Sequence, residues 1–351
     1  MSNTTISEIL NGRDWVLADG ATGTNYFSVG LQSGDSPELW NIDHPERVAT
    51  LHREFIDAGS DIILTNSFGG TSCRLTLHGS EDRVRELNRA AAFIARNEAD
   101  RAKKNIVVAA SIGPTGDLIY PLGDLQQSQA EDAFAEQADA LKEGGADVIW
   151  LETMSSKEEF EAARIGAQQV GLPIVATMTF DTKGRTMMGV APQELVFLYR
   201  DLVPKLAAYG SNCGIGASDL IGGIMAMRTV ADESDVLIAK SNCGIPEFVD
   251  GKIRYSGTPE LMAEYACLAR DLNVQIIGGC CGTTPEHLRS MCEALETRDR
   301  RPPPSLDDVV SMLGPITDGT KMCFEDFSQH KRGVDVKKRG QRRNQASQDE
   351  I

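Results

Sequence analysis

Val274-Gln275-Ile276-Ile277-Gly278-Gly279-Cys280-Cys281-Gly282-Thr283-Thr284-Pro285 holds the fold in miniature. An apolar run ends in glycines, two adjacent cysteines sit in the turn, and a helix-like stretch begins at Glu286. This reads as a buried strand, a tight turn and a helix start. Outward from it the same unit recurs. Trp15–Ala18, Ile62–Thr65, Ile106–Ala110, Val148–Leu151, Ile174–Met178, Ala207–Tyr209 and Val236–Lys240 are further strand candidates, with Val274–Ile277 the eighth. Between most of them lie stretches of 3.6 period, such as Pro45–Ala58, Glu81–Ala102, Glu131–Glu143 and Pro192–Leu206. Gly144-Gly145 stops the third of these helices. Strands alternating with helices predict a parallel sheet, and eight strands suffice to close a (β/α)₈ barrel of the α/β class. The sixth strand has the weakest signal, being short, containing Tyr209 and running directly into Gly210.

Each strand runs into residues that are small, polar or thiol-bearing. Asp19-Gly20-Ala21-Thr22-Gly23-Thr24 comes after the first, Asn66-Ser67-Phe68-Gly69-Gly70 after the second and Gly113-Pro114-Thr115-Gly116 after the third. Glu152-Thr153-Met154 and Asp181 to Gly184 come after the fourth and fifth, and Asn212-Cys213, Asn242-Cys243 and Cys280-Cys281 close the rest. In a barrel these carboxyl ends share one face, where active sites form. Cys213, Cys280 and Cys281 can therefore converge despite their separation in sequence. Three thiolates at strand ends make a zinc site with its fourth position open, and such a soft set suits a thiol ligand. The plainer reading of the pair is one buried small residue and one structural thiol. Asp19-Gly-Ala-Thr-Gly lacks the lysine and spacing of a phosphate loop. A turn that brings backbone N–H groups to a ligand carboxylate fits better. Glu152 is either a solvated rim carboxylate or the partner of a substrate ammonium.

The 351 residues are 41% hydrophobic, enough for a large core without disulfides, and carry a formal charge of −16. That balance argues against nucleic acid or an anionic membrane as partner. The start MSNTTISEIL has no basic and apolar leader pattern, and no apolar run approaches a membrane span. Eight cysteines on those terms point to a reducing cytoplasm, where clustered thiols mean metal or catalysis. Cys73, Cys267, Cys292 and Cys323 have no partner at ligand spacing and read as ordinary core or surface residues. The pattern stops near Arg298. Residues 1–298 are expected to form the barrel domain, and 299–351 a Pro-rich linker at Arg301-Pro302-Pro303-Pro304 and a disordered basic tail. The basic run at 331–343 has one other reading, a contact with an acidic surface such as a neighbouring subunit of a homo-oligomer.

These residues together resemble the homocysteine S-methyltransferase family. It consists of zinc-dependent barrels that include betaine–homocysteine methyltransferases, S-methylmethionine-dependent enzymes and the homocysteine module of cobalamin-dependent methionine synthase. The resemblance covers about residues 10 to 297. It rests on DGATGT at Asp19, HREFIDAGSDIILTNSF at His52, GPTGD at Gly113 and LET at Leu151. SNCGIGASD at Ser211, GTPELMAEYA at Gly257 and GGCCGTTPEHL at Gly278 complete it. The resemblance implies that Cys213, Cys280 and Cys281 bind zinc, with the homocysteine sulfur as fourth ligand. It implies that Gly20, Ala21, Thr22 and Glu152, with Asn212 beside them, hold the amino-acid end of homocysteine. Cys243 departs from the pattern, since family members usually carry a small residue there; it reads as a bystander near the site, with a substitute ligand or a redox-sensitive neighbour as the alternatives.

The implied reaction is methyl transfer from a small onium donor to homocysteine, giving methionine, with glycine betaine favoured. A quaternary ammonium calls for an aromatic surface and a cation for the donor carboxylate. Trp40 and Phe68 are the candidate donor-binding aromatics. The animal betaine enzymes carry a tyrosine where this chain has Gly69, so the donor pocket is expected to be built differently. S-methylmethionine and dimethylsulfoniopropionate obey the same electrostatic logic. A separate corrinoid protein as donor is the enzymatic alternative, and a zinc and thiol redox-sensing barrel is the alternative outside enzymology.

Overall fold

The computed structural model describes residues 5–249 and 252–325. Its main sheet has eight parallel strands: β1 (Val16–Leu17), β2 (Ile62–Leu64), β3 (Val107–Ile112), β4 (Val148–Met154), β5 (Ile174–Met178), β6 (Ala208–Cys213), β7 (Leu237–Ser241) and β10 (Ile276–Gly279). Helices surround the strands and the sheet rolls into a barrel, in the order β1-β10-β7-β6-β5-β4-β3-β2. The seam between β1 and β2 is short, because β1 has two residues. It is closed by the bridge between Ala18 and Ile62 and by two carboxylates standing in for ladder partners. Leu17 N donates to Asp61 Oδ2 at 3.0 Å, and Leu64 N to Asp19 Oδ2 at 2.7 Å.

All eight expected strands are present. The sixth, weakest in the sequence, runs six residues and reaches Cys213 itself. Gly210 makes its close pairing possible, since a Cβ there would lie 1.9 Å from the Ile238 carbonyl oxygen. Inside the barrel, Val16, Ala18, Ile62, Leu64, Val107, Ala109, Val148, Trp150, Val175, Ala208, Ile238 and Ile276 form one apolar cluster. The N-terminal helix Ile6–Leu10 adds Ile6 and Ile9 to it, and its first turn is held by reciprocal bonds of Thr5 and Glu8. The larger core lies between sheet and helices. Among the described residues no helix is long and apolar enough to cross a membrane.

Two features differ from expectation. An antiparallel hairpin, β8 (Pro246–Val249) and β9 (Lys252–Tyr255), comes after β7. The ordered chain also continues past residue 298. The helix Leu306–Leu313 buries Val309 and Leu313, and Ile316 and Cys323 are buried beyond it. Asp219 Oδ1 accepts from Thr317 Oγ1 at 2.6 Å and Thr320 Oγ1 at 2.7 Å, and Gln193 Nε2 donates to the Cys323 carbonyl at 2.9 Å. The physical reason is the helix Ala217–Arg228, which is largely apolar beyond Ser218 and Asp219 and is buried from Ala217 to Met227. Such a helix needs a cover on its outer face, and residues 305–325 supply it. The stiff linker thus reaches only to Pro304; the basic run at 331–343 lies outside the described residues.

Candidate metal and substrate site

The site grows out of the strand pleat. Along the inner face, Ala109 leads two residues later to Ser111, Trp150 to Glu152, Val175 to Thr177 and Ile238 to Lys240. The period of two keeps each pair on one face, so the apolar barrel filling gives way to a polar layer near the strand ends. Lys240 is 2% exposed; its Nζ donates to Asp19 Oδ1 at 2.6 Å and to the Asp19 carbonyl at 3.1 Å, and lies 5.6 Å from the Trp150 ring centroid. Burial pushes the Asp19 carboxyl up, and Lys240 opposes that. Glu152 accepts from the Ser111 hydroxyl. Burial raises its carboxyl as well, against the pull of Lys240.

Above this layer the three cysteines meet. Their Sγ atoms all lie within 4.8 Å of one another, with Cys213 and Cys281 4.0 Å apart. Zn–S bonds of about 2.3 Å at tetrahedral angles place sulfurs about 3.8 Å apart, so the set is spaced for one such ion. Backbone geometry aims them. Cys213 ends β6 with φ of 62°, a left-handed conformation that is unfavourable for a residue with a side chain. The Cys280-Cys281 turn is fixed by Cys280 N donating to the Ser241 carbonyl at 2.6 Å and Cys281 N to Asn242 Oδ1 at 3.0 Å. Asn242 Nδ2 also donates to the Gly214 carbonyl at 2.6 Å, so one amide clamps both cysteine turns. The hydrogen bond with Cys213 favours the Cys281 thiolate, but contacts with Cys280 and burial outweigh it and push the thiol up to about 12. Three crowded thiols of this kind ionise together only around a cation.

Asn212 joins the cluster to Glu152. Its Nδ2 lies 3.8 Å from Cys280 Sγ and 2.8 Å from Thr153 Oγ1, and its Oδ1 accepts from Thr153 N at 2.9 Å. Thr153 has φ of 63° at an irregularity in the β4 to β5 pairing. One cavity of about 390 Å³ is lined by Gly20, Ala21, Thr22, Phe68, Glu152, Cys213, Cys280 and Cys281. The Ala21 N–H is already committed to the Thr283 carbonyl at 3.1 Å, which ties the first turn to the double-cysteine segment. Trp40 does not line this cavity. It is buried against Tyr26 and His44, with ring centroids at 5.1 and 5.0 Å, and the Arg47 guanidinium lies over it. Phe68 is 37% exposed and lies against Gly113, where a Cβ would meet its ring at 2.5 Å.

Several lining residues escaped the sequence reading. Lys240 looked like a strand terminus, although its spacing from Ile238 was the available signal. Glu38 is buried in the short 3-10 turn Pro37–Leu39, in the connection between β1 and β2, and accepts from Gly69 N and Ser36 Oγ, each at 2.6 Å. Arg74, in the short helix Ser72–Leu75, also faces the cavity. Cys243 is buried beside the cluster, not in it: its Sγ lies 3.1 Å from His287 Nε2 and 3.0 Å from the Gly257 carbonyl. Burial pushes its thiol up to about 11.

Comparison with known proteins adds to this geometry. Residues 16–295 match the model of a family described as homocysteine S-methyltransferase. The chain is 28% identical to methionine synthase of Mycobacterium tuberculosis over 310 residues, covering 84% of this chain and 25% of that protein. For methionine synthase of Mycobacterium leprae the identity is 28% over 297 residues, covering 80% and 24%. The chain thus spans about a quarter of the length of these curated relatives. Among solved structures, the metallated form of the homocysteine methyltransferase MmuM from Escherichia coli is similar with a TM-score of 0.68 and 20% identity, over 81% of this chain and 98% of that one. Its oxidized form gives 0.70 and 22%, over 85% and 100%. At such identities the structural likeness speaks for the fold.

Proposed function

The chain belongs to the homocysteine S-methyltransferase family, and on that premise we propose that it methylates homocysteine to methionine from a small onium donor, glycine betaine first, with zinc held by Cys213, Cys280 and Cys281. The observation that carries this reading is the cluster of three cysteine sulfurs facing the same cavity as Glu152. When bound, zinc keeps a thiol ligand deprotonated at neutral pH while an all-thiolate shell leaves its sulfur electron-rich.

The chain's own residues do the rest. Glu152, buried and opposite Lys240, presents a carboxylate to the substrate ammonium. Gly20 and Thr22 shape the wall beside it, and Asn212 fixes the relation of Glu152's strand to Cys280. With the amino-acid end held, the thiol sulfur has one direction in which to meet the donor carbon. A sulfur–carbon bond forms as the donor's onium–carbon bond breaks. The bonding pair leaves on nitrogen or sulfur, so that atom departs uncharged as an amine or a sulfide, and the thiol proton is lost to solvent. Orientation of two bound reactants supplies much of the acceleration. Phe68 lines the cavity and gives the donor an apolar face.

A second reading keeps the same acceptor site but takes the methyl group from a separate corrinoid protein. Exposed apolar side chains in loops on the strand-end side favour it: Leu118, Tyr120 and Leu122 after β3 and Met187 after β5. Such side chains suit a protein partner.

The test is methionine formation by the purified chain with one equivalent of zinc, offered glycine betaine, S-methylmethionine or dimethylsulfoniopropionate separately. Turnover with one of them, lost in Cys280→Ala together with the metal, supports the proposal. No turnover with any, in protein measured to hold zinc, refutes the stand-alone reading and leaves the corrinoid route.

A further inference from the structure

Besides the exposed Asp35, the cavity wall carries Arg74 and Glu38, opposite charges that do not pair with each other. Arg74 is half-buried there, its side chain laid along Gly116, where an added Cβ would meet Cδ and Nη1 at 3.0 Å. Its guanidinium takes part in no ion pair or side-chain hydrogen bond among the described residues. Lys240, the other buried base in this wall, is committed to Asp19. The opposite charge is Glu38, whose carboxylate is buried with Gly69 N and Ser36 Oγ as its hydrogen-bond donors and, among the described residues, no cation within ion-pairing range. The Phe68 ring lines the same space.

A half-buried guanidinium left without an anion, in a chain of net charge −16, is a costly arrangement unless a ligand supplies the anion. Many carboxylates were available in the sequence to neutralise it, and none among the described residues does. Arginine's planar fork matches a carboxylate with two parallel hydrogen bonds. An anion and an aromatic face are what an onium group seeks. The wall is therefore complementary to a molecule that carries both charges.

We propose that Arg74 binds the carboxylate of the methyl donor while Glu38 and Phe68 face its onium group, which makes Arg74 and Glu38 the residues that select the donor. This rests on the reading of the cavity as a methyltransferase site and deepens it by naming the residues that hold the donor. Arg74 becomes the residue that rejects donors with a neutral tail.

The experiment is calorimetric binding of glycine betaine and of choline, a trimethylammonium without a carboxylate, to the full chain loaded with zinc and kept free of homocysteine, so that no methyl transfer occurs. Wild type is expected to prefer glycine betaine. In Arg74→Met the dissociation constant for glycine betaine rises about 30-fold, choline changes less than threefold, and homocysteine binding is unchanged, which also reports a folded site. Arg74→Lys, which keeps the charge without the fork, recovers part of the loss. Equal affinity for glycine betaine in wild type and Arg74→Met overturns the assignment, as does no binding to wild type or a loss shared equally by choline. Turnover by wild type with any small onium donor judges the proposed function separately. Methionine formed with an unchanged rate by Arg74→Met would keep that function and remove Arg74 from it.

Discussion

Replacing Lys240 by methionine isolates the electrostatics of the polar layer, because the side-chain stem beside Trp150 is nearly conserved. Wild type holds Lys240 and Asp19, 2% and 1% exposed, at 2.6 Å. The variant leaves Asp19 with the Leu64 N–H and no cation. Stranding one member of a buried pair costs about 3–5 kcal/mol. Protonation of Asp19 sets an independent ceiling. Holding a proton at pH 7 on a group whose ordinary pKa is 3.8 costs about 4 kcal/mol, at about 1.4 kcal/mol per pH unit. The two figures agree, and against a typical total of about 5–15 kcal/mol the loss is large. Its pH dependence has a definite sign. In the variant the folded carboxyl is raised further, so the folded state binds more protons than the unfolded state between 3.8 and the raised value. Stability then increases as pH falls through that window. Urea unfolding of both proteins from pH 7.5 to 5 should show the gap shrinking by about 1 kcal/mol per pH unit. The double variant Lys240→Met with Asp19→Asn should recover most of the loss and flatten the slope. A deficit below about 1 kcal/mol with no pH dependence would refute the reasoning, since it would mean that water or another group compensates Asp19.

Glu152 gives the second prediction. Its carboxyl is raised by burial, so its ionisation penalises the folded state as pH rises from the ordinary 4.5. Glu152→Gln should therefore be about 1 kcal/mol more stable than wild type at pH 7.5, measured by urea unfolding, while homocysteine affinity falls at least tenfold. Wild-type affinity should also decline on acidification at a pH above that of an exposed glutamate; a decline that persists in the glutamine variant would assign it elsewhere. The third concerns the C-terminal cover. Asp219→Ala removes the acceptor shared by Thr317 and Thr320, and a loss of about 2–3 kcal/mol with new protease cleavage between residues 305 and 325 is expected. Unchanged cleavage would show that apolar contacts of Val309 and Leu313 alone hold the segment.

The barrel was legible because its strands are apolar runs broken at regular intervals, a signal that survives without any tertiary knowledge. The cysteine cluster was legible for a related reason: a parallel barrel brings every strand end to one face, so Cys213 and Cys280 needed no sequence proximity. What failed were residues whose meaning depends on facing direction. Lys240 ends a strand, where a lysine is ordinarily solvated, and only the inward phase of Ile238 and Lys240 buries it. Arg74 and Glu38 sit in loops and a one-turn helix, where no periodicity tells which way a side chain points. Trp40 was placed by type, as an aromatic in a loop, yet Tyr26 and His44 enclose it in the core. The C-terminal cover was masked by Pro302 to Pro304, which read as an ending; the largely apolar helix Ala217–Arg228 was the missed signal that something must lie over it.

The left-handed backbone at Cys213 bears on how this protein can be engineered. A residue with a side chain in that conformation costs roughly 1–3 kcal/mol relative to glycine. Any campaign that selects for thermal stability in metal-free protein will therefore enrich glycine or asparagine at position 213, where the fold relaxes and the proposed ligand disappears. On the proposed zinc reading, heat resistance and metal capture are opposed at a single residue, so libraries that leave this position open should be screened with the metal present from the first round.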